Sequence, residues 1–332
     1  MMSLRHRVRL CLALLIGVGG AWLAAAPASS QGVPQPAGAP IRMLVGFGAG
    51  GGTDTVARIV AEPLSRKLNA PIVVENKPGA GGVLAMEELK RSRPDGQTLL
   101  MSSTGTLVML PHIQRVPFDI SKDITGIGTV VQYPLVIVVP ASLGVKSLNE
   151  FIDRVKREPG KLSYASAGNG TGNHFAAEVL KKETGIDLVH VPYKSDGAAM
   201  PDLLAGRTAM DVLNIQIALP HIRSGSLVAL AVTGPAQVPD LPGVPTVAQA
   251  GYPNVQQSPW SALIGPAGMA PEKVTQLNTA LNEVLATPAV RKRFADLGQD
   301  VFASTPAQTR EHIDRESARY RTVAAQAHIV SE

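Results

Sequence analysis

The sequence predicts a two-lobed α/β protein, and three observations carry that prediction. Short apolar strands alternate with amphipathic helices along most of the chain, the pattern of a mainly parallel sheet. One unit, strand then glycine loop then helix, occurs twice, more than a hundred residues apart. Behind the N-terminal segment about 300 residues remain, enough for two lobes that each bury a core.

In order, Ile41 to Gly46 reads as a strand and Thr55 to Leu68 as a helix. Ile72 to Glu75 is the next strand, followed by a turn at Lys77-Pro78-Gly79 and a helix from Gly82 to Arg91. Pro94-Asp95-Gly96 punctuates the step to the strand Leu99 to Ser102. The second half begins with the strand Leu135 to Val139, the helix Leu148 to Arg157 and the strand Lys161 to Ala165. It continues with helix 173–183, strand 188–191, helix 198–204, strand 209–213, helix 217–223 and strand 227–233. Ser261 to Ile264 is an apolar strand, and Glu272 to Ala286 and Ala307 to Ala325 are late helices with apolar residues at helical spacing.

Ahead of the first strand the chain reads as an export signal. Arg5, Arg7 and Arg9 precede an almost wholly apolar stretch from 10 to 26, and Ala26-Pro27-Ala28 offers a small-x-small cleavage site. Residues 1–28 are expected to be removed and 29–39 to form a flexible mature N-terminus. An uncleaved anchor needs a longer apolar run. The only cysteine, Cys11, leaves with the signal, so disulfides and thiolate-metal sites are not expected. The net charge falls from +5 to +2. Basic residues elsewhere are interspersed with acids and lack aromatic interleaving, so a nucleic-acid surface is not expected.

The repeat carries the chemistry. Strand 41–46 leads into Gly48-Ala49-Gly50-Gly51-Gly52-Thr53, and strand 161–165 leads into Ala167-Gly168-Asn169-Gly170-Thr171-Gly172, each ahead of a helix. By this alignment Thr53 and Thr171 match. Glycine lets the backbone turn tightly and approach a ligand. The free N–H groups of the following helix, at the positive end of its dipole, then favour an anion. Alternatively each run is a flexible loop, with Thr53, Asp54 or Asn173 capping a helix.

Gly46-Phe47-Gly48-Ala49-Gly50-Gly51 also satisfies G-x-G-x-x-G, with Glu75 placed as a ribose-binding acid would be. An exported dinucleotide oxidoreductase is the enzyme alternative. Against it stand the export signal, the second glycine loop, and Asp54, which would repel a pyrophosphate if it faced the site. The chain contains no H-E-x-x-H, G-x-S-x-G or Walker A sequence. His174 and His190 approach each other across one βα unit without an obvious carboxylate partner, so a metal site is not expected. Asp211 either orients a ligand or caps a loop, and Trp260 either lines a cleft or packs between the lobes.

The chain resembles the solute receptors of tripartite tricarboxylate transporters, the Bug-type periplasmic binding proteins. The resemblance rests on Ile41-Arg42, on Phe47 with Ala49 to Asp54 and Arg58, and on Val74 to Gly82, which reads VENKPGAGG. It continues through Pro94 to Leu99, Gly168 to Thr171, Val189 to Lys194, Asp202 to Gly206 and Ala229 to Thr233. Leu241 to Thr246, Ala250-Gly251-Tyr252, Trp260 and Gly265 to Gly268 complete it, in order over residues 40–330.

The resemblance implies a bilobal, type II venus-flytrap fold of two Rossmann-like lobes joined by two crossovers. Residues 40–133 with 258–332 would form one lobe and 134–257 the other. It implies a periplasmic receptor, not an enzyme, that captures a small carboxylate between the lobes. A large and a small integral-membrane permease subunit, driven by an ion gradient, would receive the ligand from a monomeric receptor. A sensor signalling to a membrane kinase is the alternative, which adjacent genes would distinguish. The implied ligand-binding residues are Phe47, Gly50, Gly51, Thr53 and Asp54 in the first loop and Ala167, Gly168, Gly170, Thr171 and His174 in the second. Thr104, Asn214 and Trp260 complete the set, with no cofactor and no metal.

Three departures from the family pattern stand out. Gly46 and Gly48 replace prolines, which predicts a more mobile loop. Ser195-Asp196-Gly197 adds an acid near the site. Leu213 stands where relatives carry an acid or another polar residue, which favours a di- or tricarboxylate or aromatic acid over an amino acid.

Overall fold

A computed structural model describes residues 40–327 and residue 329. The expected signal peptide and the 29–39 segment lie outside the described residues. Among the described residues no helix is long and apolar enough to cross a membrane.

The first part of the chain runs β1 (Ile41–Val45), α1 (Gly52–Leu68), β2 (Ile72–Asn76), α2 (Val83–Arg91), β3 (Thr98–Ser103) and β4 (Ile124–Gln132). Then come β5 (Leu135–Pro140), α3 (Leu148–Arg157), β6 (Ser163–Ser166), α4 (Gly172–Thr184) and β7 (Val189–Pro192). They are followed by α5 (Asp196–Leu204), β8 (Met210–Asn214), α6 (Ile215–Arg223) and β9 (Leu227–Val232). The chain ends with β10 (Trp260–Pro266), α7 (Pro271–Ala286), α8 (Pro288–Ala295), β11 (Asp300–Val301) and α9 (Pro306–Ala327).

The strands form two sheets, in the orders β11-β4-β10-β3-β1-β2 and β7-β6-β8-β5-β9. This is the bilobal α/β architecture of periplasmic binding proteins. The central strands of each sheet are buried on both faces, so they read as continuous apolar runs. Met43, Val45, Leu99 and Met101 point into one core and Leu44 and Leu100 into another. In the second sheet Leu135, Ile137 and Val139 face one side and Val136 and Val138 the other.

Neither sheet is wholly parallel. β10 runs antiparallel to β3 and β4, and β5 runs antiparallel to β8 and β9. Each is the first strand laid down after the chain changes sheet. It enters from the hinge side and so runs against strands that start at the far edge. β4 and α8, which sequence periodicity did not separate from their surroundings, complete the first sheet and its helical layer.

The two crossovers are bonded to each other. The Tyr133 amide donates to the Pro259 carbonyl at 2.9 Å, and the Gln257 amide to the Thr233 carbonyl at 2.9 Å. Thr233 is fully buried; its hydroxyl donates to the Gln257 carbonyl and accepts from the Leu135 amide.

The two glycines that replace prolines differ in their surroundings. A Cβ on Gly46 would stand 2.6 Å from the Gly82 Cα, a backbone atom, whereas one on Gly48 would meet nothing within 4 Å. Gly46 therefore serves close packing of the β1 end on the turn before α2, and Gly48 does not. Gly46→Ala should lower stability by about 1–3 kcal/mol through overpacking, and Gly48→Ala should leave it nearly unchanged. Paired thermal melts check this.

Candidate functional site

The doubled loops superpose in function once their hydrogen bonds are followed. In the first, the Gly50 amide donates to Asp54 Oδ2 at 2.8 Å, and in the second the Gly170 amide donates to His174 Nδ1 at 3.3 Å. Both glycines lie at positive φ, +79° and +75°. The Gly51 amide donates to the Gly48 carbonyl as the Thr171 amide does to Gly168, and Thr55 and Phe175 make the first helical bonds, to Gly51 and Thr171. Gly51 therefore matches Thr171, and Thr53 matches Asn173. Matching Thr53 with Thr171 is off by two residues, because shared glycines conceal the register.

This register decides which donors are left for a ligand. The amides of Gly50, Gly51, Gly170 and Thr171 are spent within their own loops. Helix geometry leaves the first N–H groups of each helix without intrahelical acceptors. In α1 these are Gly52, Thr53 and Asp54. In α4 they are Gly172 and Asn173, because the His174 amide donates to the Thr171 hydroxyl that caps the helix. Gly52, Gly172 and Asn173 were absent from the sequence-derived set, and only the capping register reveals them.

The remaining expected residues divide by what they touch. Burial alone would raise the Asp54 carboxyl, but the Arg58 guanidinium, the Gly50 amide and the Asn76 amide hold it below the usual range. Its charge is thus turned into the loop, away from an anion, and its repulsion is no argument against a phosphate. Phe47 packs on the first core, and its carbonyl accepts from Asn76. Gly168 holds the second loop: its amide donates to the Ser166 hydroxyl and its carbonyl accepts from the Thr171 hydroxyl. Ala167 is half-buried between Ser166 and Gly168. Gly81 and Gly105 of the first lobe meet this loop closely. A Cβ on Gly105 would stand 2.9 Å from the Gly170 carbonyl oxygen.

Two residues are committed elsewhere. Thr104, 1 % exposed, donates to the Trp260 carbonyl at 2.8 Å and accepts from the Trp260 amide at 2.6 Å, tying the end of β3 to β10. The Trp260 ring, also 1 % exposed, packs against His312 of α9 at the wall of a separate cavity of about 690 Å³ that no glycine-loop residue lines. Both were expected to contact ligand; in the structure their contacts are with each other and with α9.

His174 is buried. Its ring stacks on His190, and His190 stacks on Tyr164. Burial first, then the neighbouring His190, pushes the His174 pKa down to about 4.

Asn214, at the end of β8, reaches across the gap between the sheets. Its amide nitrogen lies 3.9 Å from where a Cβ on Gly52 would stand, and it donates to Asp196 Oδ2 at 3.1 Å. Asp196 is 7 % exposed, and its other oxygen accepts from Asn173 Nδ2 at 2.7 Å. Burial pushes its carboxyl up to about 6 against the pull of those two amides. Behind it Asp211 is fully buried, with Oδ1 accepting from the Val212 amide and Oδ2 without a partner. Burial and then Asp196 push Asp211 well above the usual range. Leu213 points into the core with Met200 and Leu203. Asp196 places an acid next to Asn214 although Leu213 is apolar, so the argument from Leu213 against a ligand with an ammonium group does not hold. Among the described residues, no group of three or more His, Cys, Asp or Glu is placed to hold a metal ion.

The sequence matches a family model described as tripartite tricarboxylate transporter family receptor over residues 56–328. It is 38 % identical over 315 residues to protein BugT of Bordetella pertussis, covering 93 % of this chain and 96 % of that protein. An R. palustris protein solved with adipate shares the fold at a TM-score of 0.83 and 28 % identity, covering 88 % of this chain and 98 % of its own. MatC from Rhodopseudomonas palustris, solved with malate, aligns at 0.80 and 29 % identity, covering 86 % and 98 %.

The depressed His174 pKa has a definite sign. Between the unfolded value, 6.5, and the folded value, about 4, the unfolded chain binds the proton and the folded chain does not. Stability is therefore lost as pH falls through that window. His174→Asn keeps an acceptor for the Gly170 amide and removes the titration. On acidification from pH 7 to pH 4 the parent should lose on the order of 2–3 kcal/mol relative to the variant, measured by denaturant melts at each pH.

Proposed function

The chain belongs to the tripartite tricarboxylate transporter receptor family, whose members are periplasmic solute-binding receptors for small carboxylates, and we propose how it holds its ligand. One ligand carboxylate sits on the Gly52, Thr53 and Asp54 amides at the start of α1. The rest of the ligand lies against Asn214 and the start of α4. The observation that carries this is the register of the loops, which leaves those amides as free donors at the positive end of a 17-residue helix. The side chain of Thr53 adds one hydroxyl donor.

The ligand is a small organic acid with at least one carboxylate; relatives solved with adipate and with malate support this class. Binding is reversible capture with no bond made or broken. The lobes, residues 40–133 with 258–332 and residues 134–257, close on the ligand by bending at the bonded crossovers. The monomeric closed form then docks on the large and small permease subunits, which use an ion gradient. Export proceeds through the cleavable signal at residues 1–28.

Gly52→Pro removes the first of these α1 donors. Proline is favoured at the first helical position, and Gly51 already has the extended backbone that must precede it, with ψ at 165°. The variant should melt no lower than the parent. It should bind the best carboxylate of a thermal-shift panel at least about tenfold more weakly, as expected for a lost charge-assisted hydrogen bond. Thr53→Ala should cost about 1 kcal/mol of binding. Full affinity in Gly52→Pro would remove the α1 terminus from the site. Calorimetry gives both numbers.

A further inference from the structure

Three helix N-termini around the second sheet meet at Asp196, which is hydrogen-bonded to Asn173 and Asn214. α4 begins with Gly172-Asn173, α5 with Asp196 and α6 at Asn214-Ile215. Such a convergence favours one negative charge. The chain provides that charge itself: the Asp196 carboxylate lies between the Asn173 and Asn214 amides, one oxygen on each. Asp211 adds a second acid beneath it. Among the described residues, neither forms an ion pair with Lys, Arg or His. Lobe 1 is arranged oppositely, with its one acid at the equivalent turn, Asp54, paired to Arg58.

From this asymmetry we infer that Asp196 is a specificity-determining residue: it selects a carboxylate whose far end carries a hydrogen-bond donor, an ammonium or hydroxyl group, over one ending in a second ionised carboxylate. The inference rests on the carboxylate reading above and narrows it. A Cβ on Gly52 would stand 3.9 Å from Asn214 Nδ2, which is bonded to Asp196, so a ligand whose carboxylate is held at Gly52 lies beside the Asn214–Asp196 pair. A second carboxylate there meets Asp196 with no cation between them, and like charges in a partly desolvated site repel strongly. A donor there finds a fixed acceptor.

The test uses sets of acids that differ only at the far end. One set is butyrate, 4-hydroxybutyrate, 4-aminobutyrate and succinate, with the corresponding five- and six-carbon sets. Another is benzoate, 4-hydroxybenzoate, 4-aminobenzoate and terephthalate. Affinities are measured by calorimetry for the full mature chain, for Asp196→Asn, for Asp196→Ser and for Gly52→Pro. The second Asp196 variant guards against a single misfolded one, and circular dichroism melts report folding. In the parent, the hydroxyl or amino member of the best-binding set should exceed its dicarboxylate at least about tenfold. Both Asp196 variants should shift that ratio toward the dicarboxylate by a further tenfold or more, roughly. Gly52→Pro should weaken all members alike. A parent that prefers the dicarboxylate, or a ratio unmoved in both folded Asp196 variants while Gly52→Pro still weakens binding, overturns the role of Asp196 and leaves the carboxylate site standing. Binding of no acid, or binding indifferent to Gly52→Pro, overturns the carboxylate site and the role of Asp196 with it.

Discussion

The hydrogen bond from the Tyr133 amide to the Pro259 carbonyl joins the two places where the chain passes between sheets. Every element that faces the cleft is positioned from there. Thr233 reinforces the junction: buried and bonded to both Leu135 and Gln257, it locks the start of β5 to the strand that returns toward β10. A single crossover would leave the sheets free to twist about one bond. Two bonded crossovers hold the sheets at two adjacent points of the chain. Gln257 continues the connection into the site, since its side chain donates to the Gly172 carbonyl at the first residue of α4.

Within each lobe the same local device presents the donors. A glycine at positive φ turns its amide inward, and the residue four positions later, the third of the helix, accepts it. The loop is held by its own hydrogen bonds and needs no ligand to keep its shape, so ordering it costs little when an anion arrives. The same arrangement explains why the free donors start one residue later than the glycines suggest. The Gly50, Gly51 and Gly170 amides shape the turns, and the first residues of the helix that follows keep free N–H groups.

Much of this was legible in the sequence. The doubled glycine loop showed two lobes, because Gly50 and Gly170 have the one residue type that accepts the backbone they adopt. Strands buried on both faces are conspicuous as apolar runs, as at β5. The family resemblance extended that pattern to the whole fold. What escaped was register and side-chain commitment. Thr53 and Thr171 are alike in sequence and different in position, since one lies inside a helix and the other caps one. Thr104 and Trp260 sit far apart in the chain, and only strand pairing shows that each satisfies the other. The antiparallel entries of β5 and β10 depend on which edge the chain reaches after a crossover, which no local pattern encodes.

The two lobes share a backbone plan and differ in where they place charge, and that difference gives the cleft a direction. At the third helical position lobe 1 has Asp54 and lobe 2 has His174, which burial keeps neutral. Asp54 is cancelled by Arg58, so the α1 terminus presents an undiminished positive end. In lobe 2 the position equivalent to Thr53 is Asn173, and its amide is drawn to Asp196. That acid faces the positive ends of three helices and offsets them. The cleft therefore has one anion-seeking wall and one nearly neutral to negative wall, although both were built from the same loop. A symmetric ligand would waste this polarity, whereas one with a carboxylate at one end and a donor at the other fits in a single orientation.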